Sequence, residues 1–232
     1  MLDPSQIRAI TLDLDDTLWP IWPTIHRAEE VLLLWLKERA AKTAQLFDTP
    51  KALRAIRERV EQERPDLRHD LSAMRRESIR LALRQAGDDE DLATPAFDLF
   101  FAERQRVQLF DDALPALEFL ARRWPVVAVT NGNADIHHIG IGRFFRDSFN
   151  VMRTGFAKPD ARIFHLAAAA VDVPPSAVLH VGDDAKLDAV AARDAGMHAV
   201  WLNRSGLDWP IEKEHPPTTV ASLQALCDML AA

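Results

Sequence analysis

The sequence is poor in cysteine: Cys227, near the C-terminus, is the only one. A single thiol excludes an intrachain disulfide, which agrees with a reducing cytosol. Long hydrophobic runs are also missing. The most compact, residues 31–36, is far too short to span a bilayer and lies in a charged, helical stretch. Met1-Leu2-Asp3-Pro4 is not a basic segment followed by an apolar one, so no signal peptide is expected. These absences predict a soluble, cytoplasmic protein that works without a membrane. Positive charge is in deficit too, with 28 Lys and Arg against 35 Asp and Glu and a net charge of -7. Non-specific nucleic-acid binding, which rests on cations neutralising phosphates, is therefore not expected. There is no Gly-x-Ser-x-Gly elbow, so an α/β-hydrolase would lack its nucleophile. Internal repeats and low-complexity segments are absent as well.

What is present suffices for a large core. Nearly half of the 232 residues are hydrophobic, enough for one large domain or a core with an inserted subdomain. Residues 9–14 form a short apolar, β-prone run that ends in acids, which predicts a buried strand. Helical periodicity follows over residues 24–44, with Thr24 as N-cap, and then over 51–64, 71–85 and 95–108. No strand pattern stands between Trp19 and Ala113. Beyond it the pattern alternates: helix 114–123, strand 126–130, helix 161–171, strand 178–181, helix 186–196, strand 198–202 and helix 222–230. Alternating strands and helices predict an α/β, doubly wound, Rossmann-like parallel sheet. The expected organisation is a core of residues 1–18 and 114–232, interrupted by a helical module at 19–113. Ligands of such sheets bind beyond the carboxyl ends of the strands. A module inserted there is expected to act as a lid.

Three predicted strands end in polar groups. The first ends in Asp13-Leu14-Asp15-Asp16-Thr17, the second in Thr130-Asn131-Gly132-Asn133, and the third in Gly182-Asp183-Asp184 with Asp188 one turn later. If the strands are parallel neighbours, these carboxylates crowd one sheet edge. Like charges that close cost several kcal/mol unless a cation or proton offsets them. Oxygen ligation suits magnesium. Taken singly, Asp-rich strand ends are often turn formers and helix caps. Three at successive strand ends call for a common purpose. A calcium loop of the EF-hand kind is excluded, because counting from Asp13 its required Gly would be Leu18 and its required Glu would be Thr24.

The chain resembles the haloacid dehalogenase-like superfamily of phosphohydrolases. Residues 13–18 look like its Asp-x-Asp-x-Thr motif, Thr130 like its strand-end Ser or Thr, Lys158-Pro159 like its lysine motif, and residues 182–188 like its acidic motif. The insertion resembles the family's C1-type cap. The resemblance implies a phosphatase with Asp13 as nucleophile and Asp15 as general acid and base. Thr130 and Lys158 would hold the phosphoryl oxygens. Thr17, Asn131 and Gly132 would help to bind substrate. Magnesium would be held by the Asp13 carboxylate, the Asp15 carbonyl and the Asp183 carboxylate, with Asp184 and Asp188 acting directly or through water and Lys158. The implied partner is a small phosphorylated metabolite. His69-Asp70 with Arg75 and Ser78-Ile79, and residues 124–134 and 179–184, resemble bacterial riboflavin-pathway phosphatases. Those act on 5-amino-6-(5-phosphoribitylamino)uracil and can act on FMN.

Two rival functions are weighed. A haloacid dehalogenase shares the aspartate nucleophile, but a halide leaving group needs no acid, and Asp15 is present here. A phosphoreceiver switch also combines acids, Thr and Lys, but its phosphorylated Asp lies mid-chain and it has no helical insertion. Other residues have blander readings. His137 and His138 are adjacent, which does not put two imidazoles on one helix face. His165 and His180 sit in apolar contexts as core histidines, and Cys227 has no partner nearby. Trp19 and Trp22 either line an entrance or pack. Residues 51–84 hold ten Lys or Arg against six Asp or Glu. They form either a solvated face with pairs such as Glu58 with Arg54, or a basic surface on which Arg75, Arg76 and His69 attract an anionic substrate.

Overall fold

A computed structural model describes residues 2–67, 70–212 and 215–232. His69, one of the candidate anion contacts, lies outside them. The chain divides into two compact units, residues 1–20 with 108–232, and residues 21–107.

The first unit is built on a six-stranded parallel sheet. Its strands are β1 (Ala9–Leu12), β2 (Val126–Val129), β3 (Asp147–Phe149), β4 (Val178–Gly182), β5 (His198–Leu202) and β6 (Thr218–Val220), in the order β3-β2-β1-β4-β5-β6. β1, β2 and β4 are buried along their whole length, which is why they read as unbroken apolar runs. The chain winds outward from β1 to β3, then returns to the other side of β1 to begin β4. Such a reversal opens a crevice at the carboxyl ends of the strands flanking it. β1 and β4 pair in register there, with Thr11 opposite His180 and Leu12 opposite Val181.

Sequence periodicity missed β3 and β6. Each is three residues long, carries no apolar run and lies at an edge of the sheet. The stretch expected as one helix over 186–196 is instead a π-helical turn, Ala185–Val190, followed by Ala191–Asp194. The helix Ala161–Ala169 packs Ile163, Phe164 and Ala167 against Ala9, Val127 and Val129 of the sheet.

The second unit is helical: Ile21–Arg39, Ala41–Leu46, Pro50–Glu63, Leu71–Ala86 and Ala93–Arg104. Thr24 is not an N-cap. The first helix starts three residues earlier, and Thr24 is buried within it. Leu32, Leu36, Leu83, Phe97 and Phe100 share this unit's own core. One acid is fully buried there. Glu29 takes a 2.6 Å hydrogen bond from Arg54 and a 3.4 Å contact from Arg75. Arg54 therefore pairs across helices rather than with Glu58.

A buried ion pair that loses one partner leaves an uncompensated charge, at a cost of about 3 kcal/mol or more. Glu29→Gln is expected to lower the unfolding free energy by about 3 kcal/mol in urea titration, against about 0.5 kcal/mol or less for an exposed acid such as Glu58. Equal small effects would show that the Glu29 cluster does not hold the unit.

Candidate active site

Asp13 continues the β1 ladder by one residue, its amide donating to the Val181 carbonyl at 3.0 Å. Its side chain thus emerges at the β1/β4 crevice. The chain then turns sharply. Asp16 adopts φ of 58°, a left-handed conformation that Asp tolerates better than most residues, and its amide donates to the Trp19 carbonyl at 2.7 Å. Arg204 fixes the far side of the turn. It donates to the Thr17 carbonyl at 3.0 Å, forms a bidentate pair with Asp112 at 2.9 and 3.0 Å, and lies over the Phe110 ring.

Lys158 links the strand ends. Its Nζ donates to Asp13 Oδ1 at 2.6 Å and to Asp188 Oδ1 at 2.5 Å, and all three residues are at least 94% buried. Its backbone is held by Asn131, whose side-chain oxygen accepts from the Lys158 amide at 2.8 Å while its Nδ2 donates to the Lys158 carbonyl at 2.9 Å. Behind Asp188 stands His180. Its Nε2 lies 3.1 Å from Asp188 Oδ1, its Nδ1 lies 2.8 Å from the Thr11 hydroxyl, and its ring meets Phe164 edge to face. Burial lowers the pKa of His180. In the neutral ring Nε2–H donates to Asp188 and Nδ1 accepts from Thr11. A continuous buried chain, Thr11–His180–Asp188–Lys158–Asp13, therefore runs from sheet to crevice. His180 is a core histidine as expected, but its link to the site was missed. A signal existed: polar Thr11 and His180 interrupt adjacent apolar strands.

The electrostatics follow from burial. Burial pushes the Asp13 carboxyl well up, Lys158 opposes it, and Asp188 and Asp183 push the same way as burial. Asp183 is pushed up to about 7, first by burial and then by Asp188 and Asp16. Burial alone would lower Lys158, but Asp13 and Asp188 more than offset it and keep the ammonium charged. Burial alone would raise Asp188, yet Lys158 and His180 hold it far below the usual carboxylate range.

A cavity of about 210 Å³ lies at this edge. It is lined by Asp13, Asp15 and Asp16, by Thr130, Asn131 and Gly132, and by Lys158, Asp183, Asp184, Leu187 and Asp188. Thr17 lies behind the cavity rather than in it. It is fully buried, and its hydroxyl is 3.2 Å from both Asp13 Oδ2 and Asp183 Oδ1, so it orients acids instead of meeting a substrate. Thr130 accepts a 2.9 Å hydrogen bond from the Gly132 amide. Asp184 caps the following helix through the Lys186 and Leu187 amides. One oxygen each from Asp13, Asp183 and Asp188 lie within 4.8 Å of one another. This all-oxygen set of two buried acids and one half-buried acid fits a hard divalent cation, whose charge would offset their repulsion. Asp188 already accepts from Lys158, His180 and the Asp184 amide. Asp13 and Asp183 are the better direct ligands.

Arg75 and Arg76, expected either on a solvated face or as anion contacts, both lie against phenylalanine rings. Arg75 belongs to the helical unit, where it is buried, contacts Glu29 and stacks on Phe100 with its Cζ 4.1 Å from the ring centroid. Burial pushes it down to about 10, with Arg57 adding to that and Glu29 opposing it. Arg76 stacks on Phe97. Both guanidinium groups pack on aromatic rings of that unit. His137 and His138 are exposed on the short helix Ile136–Ile139, His138 being paired with Asp135. Trp19 is fully buried, whereas Trp22 is exposed beside His26. No described helix is long and apolar enough to cross a membrane.

A family model for haloacid dehalogenase-like hydrolases matches residues 7–196. The chain is 34% identical over 204 residues to the 5-amino-6-(5-phospho-D-ribitylamino)uracil phosphatase YigB of Escherichia coli (strain K12), covering 85% of this chain and 84% of that one. It is 35% identical over 132 residues to a phosphoserine phosphatase of Thermus thermophilus, covering 54% and 53%. A solved structure described as 2-haloacid dehalogenase from Pseudomonas syringae pv. Tomato DC3000 superposes with a TM-score of 0.88 at 37% identity, covering 97% of this chain and 98% of that one.

Gly182 makes the Asp188 position possible, since a methyl group added there would overlap the Asp188 carboxylate. Gly182→Ala is expected to destabilise the protein by about 1–3 kcal/mol in chemical denaturation and to lower hydrolysis through displaced Lys158. Wild-type stability and activity in that variant would show that Asp188 does not depend on the close approach.

Proposed function

Because the chain belongs to the haloacid dehalogenase-like hydrolase family, we propose that it is a magnesium-dependent phosphomonoesterase working through a phosphoryl-aspartate on Asp13. The observation that carries this reading is the pairing, in one cavity, of a buried carboxylate tied to the Lys158 ammonium with a more open carboxylate two residues on.

In the first step an Asp13 carboxylate oxygen bonds to phosphorus, the ester P–O bond breaks, and Asp15 gives its proton to the departing alkoxide. In the second, water attacks phosphorus and Asp15 takes its proton. The P–O bond to Asp13 breaks, and inorganic phosphate and the free carboxylate result. Lys158 offsets charge on the phosphoryl oxygens and holds Asp13 in line. The Thr130 hydroxyl and nearby amides supply further donors. A cation held by Asp13, Asp183 and the Asp15 carbonyl would neutralise phosphoryl charge. Asp188 and Thr17 orient Lys158, Asp13 and Asp183. The similarity to YigB supports a small phosphorylated metabolite as substrate, with 5-amino-6-(5-phosphoribitylamino)uracil or FMN as the first to try.

The dehalogenase-described neighbour supports a second reading, attack of Asp13 on the halogen-bearing carbon of a 2-haloacid. The acid at position 15 favours the phosphatase, because an alkoxide leaves far more readily when protonated and a halide does not need it. One comparison decides: phosphate release from an aryl phosphate with and without magnesium, beside halide release from 2-chloropropionate. Magnesium-dependent phosphate release without halide release is expected. The reverse would replace the phosphatase by the dehalogenase.

Asp13→Asn is expected to abolish turnover while the protein stays folded, and Asp15→Asn to lower it about a hundredfold or more with metal binding kept. Substantial phosphate release by folded Asp13→Asn would exclude the covalent route.

A further inference from the structure

We infer that Trp19 is a positioning residue for Asp15, fixing which oxygen of that carboxyl group carries the transferred proton. The inference rests on the phosphatase reading above and concerns how its acid is held. The Trp19 indole Nε1 donates to Asp15 Oδ1 at 2.8 Å. The ring is fully buried, and the backbone ties it to the same turn through the Asp16 amide, which donates to the Trp19 carbonyl, and through a bridge between residues 15 and 19. The donor is therefore not on a mobile side chain. It is built into the loop that carries the nucleophile.

The chemistry of the indole gives the contact its direction. Indole N–H donates only and does not titrate in the working range of a protein. Oδ1 therefore accepts from Trp19 whether Asp15 is charged or neutral. The proton carried by the neutral acid is placed on Oδ2, and the same oxygen receives the proton of water in the second step. A carboxyl group free to rotate would divide its proton between two oxygens and two directions. The hydrogen bond from a fixed ring restricts that freedom without adding a charge beside Asp13.

The test separates this from simple packing. Trp19→Phe removes the donor. If Phe leaves too large a void for folding, the sulfur isostere β-(3-benzothienyl)alanine at position 19 removes the donor and keeps the shape. The readout is kcat/KM, which reports the phosphoryl-transfer step, for an alkyl phosphate and for 4-nitrophenyl phosphate, whose leaving group needs little protonation. Loss of positioning is expected to lower the alkyl value about tenfold, a fraction of the hundredfold or more that general-acid help supplies, and to change the aryl value at most about twofold. Equal losses on both esters, or no loss on either, would overturn the inference and leave Trp19 as packing. If the wild-type protein hydrolyses neither ester, the phosphatase reading itself falls and the role of Trp19 falls with it. That outcome is distinguishable because it is seen before any substitution.

Discussion

The Lys158 ammonium, enclosed between the Asp13 and Asp188 carboxylates, is the contact on which the rest of the site depends. A buried ammonium is tolerable only when paired, and buried carboxylates that lose their cation are left at a cost of several kcal/mol. The three groups therefore hold one another in place, and each comes from a different part of the chain: the end of β1, the loop before the helix Ala161–Ala169, and the π-turn after β4. The charge is not perfectly balanced. Asp183 adds a further acid that burial, Asp188 and Asp16 push up to about 7. A divalent cation would offset that crowding of carboxyl groups, and the Thr17 hydroxyl lies 3.2 Å from both Asp13 and Asp183, the two that would share it.

The scaffold supplies this arrangement through register rather than through a dedicated domain. Pairing Thr11 with His180 puts two polar side chains together in the sheet interior, so the imidazole can reach Asp188 from below. Pairing Leu12 with Val181 brings Asp13 and Gly182-Asp183 out at the same level. Gly182 then lets Asp188 fold back against the strand end, where a side chain would have kept it away. The crevice is thus a consequence of where the sheet reverses its winding, sharpened by one missing side chain.

Much of this was legible in the sequence. The apolar runs at β1, β2 and β4 announced themselves because those strands are buried along their whole length, and the polar groups at their ends, acids after β1 and β4 and Thr130 after β2, marked the edge where the candidate site lies. β3 and β6 were silent because edge strands of three residues bury too little to need an apolar run. Roles within the site were harder to read. Thr17 and Asp188 looked like contacts for substrate and metal, yet the Thr17 hydroxyl donates to Asp13 and Asp183 and Asp188 accepts from Lys158, His180 and the Asp184 amide, a matter of side-chain direction that spacing does not encode. The excess of Lys and Arg in residues 51–84 suggested either a solvated face with ion pairs or a surface that attracts anions. Its most buried member, Arg75, is matched by Glu29 from twenty-odd positions outside that window, and a local charge count cannot see such a partner.

The most direct measurement of the central claim is chemical trapping of the intermediate. Turnover of an aryl phosphate with magnesium would be quenched in acid and the protein reduced with borohydride, which converts an aspartyl phosphate to homoserine. Peptide mass analysis is expected to find homoserine at position 13 and nowhere else, and to find none in protein quenched without substrate. An unmodified Asp13 in protein that has been releasing phosphate, or homoserine at position 15 instead, would contradict the assignment of Asp13 as the nucleophile.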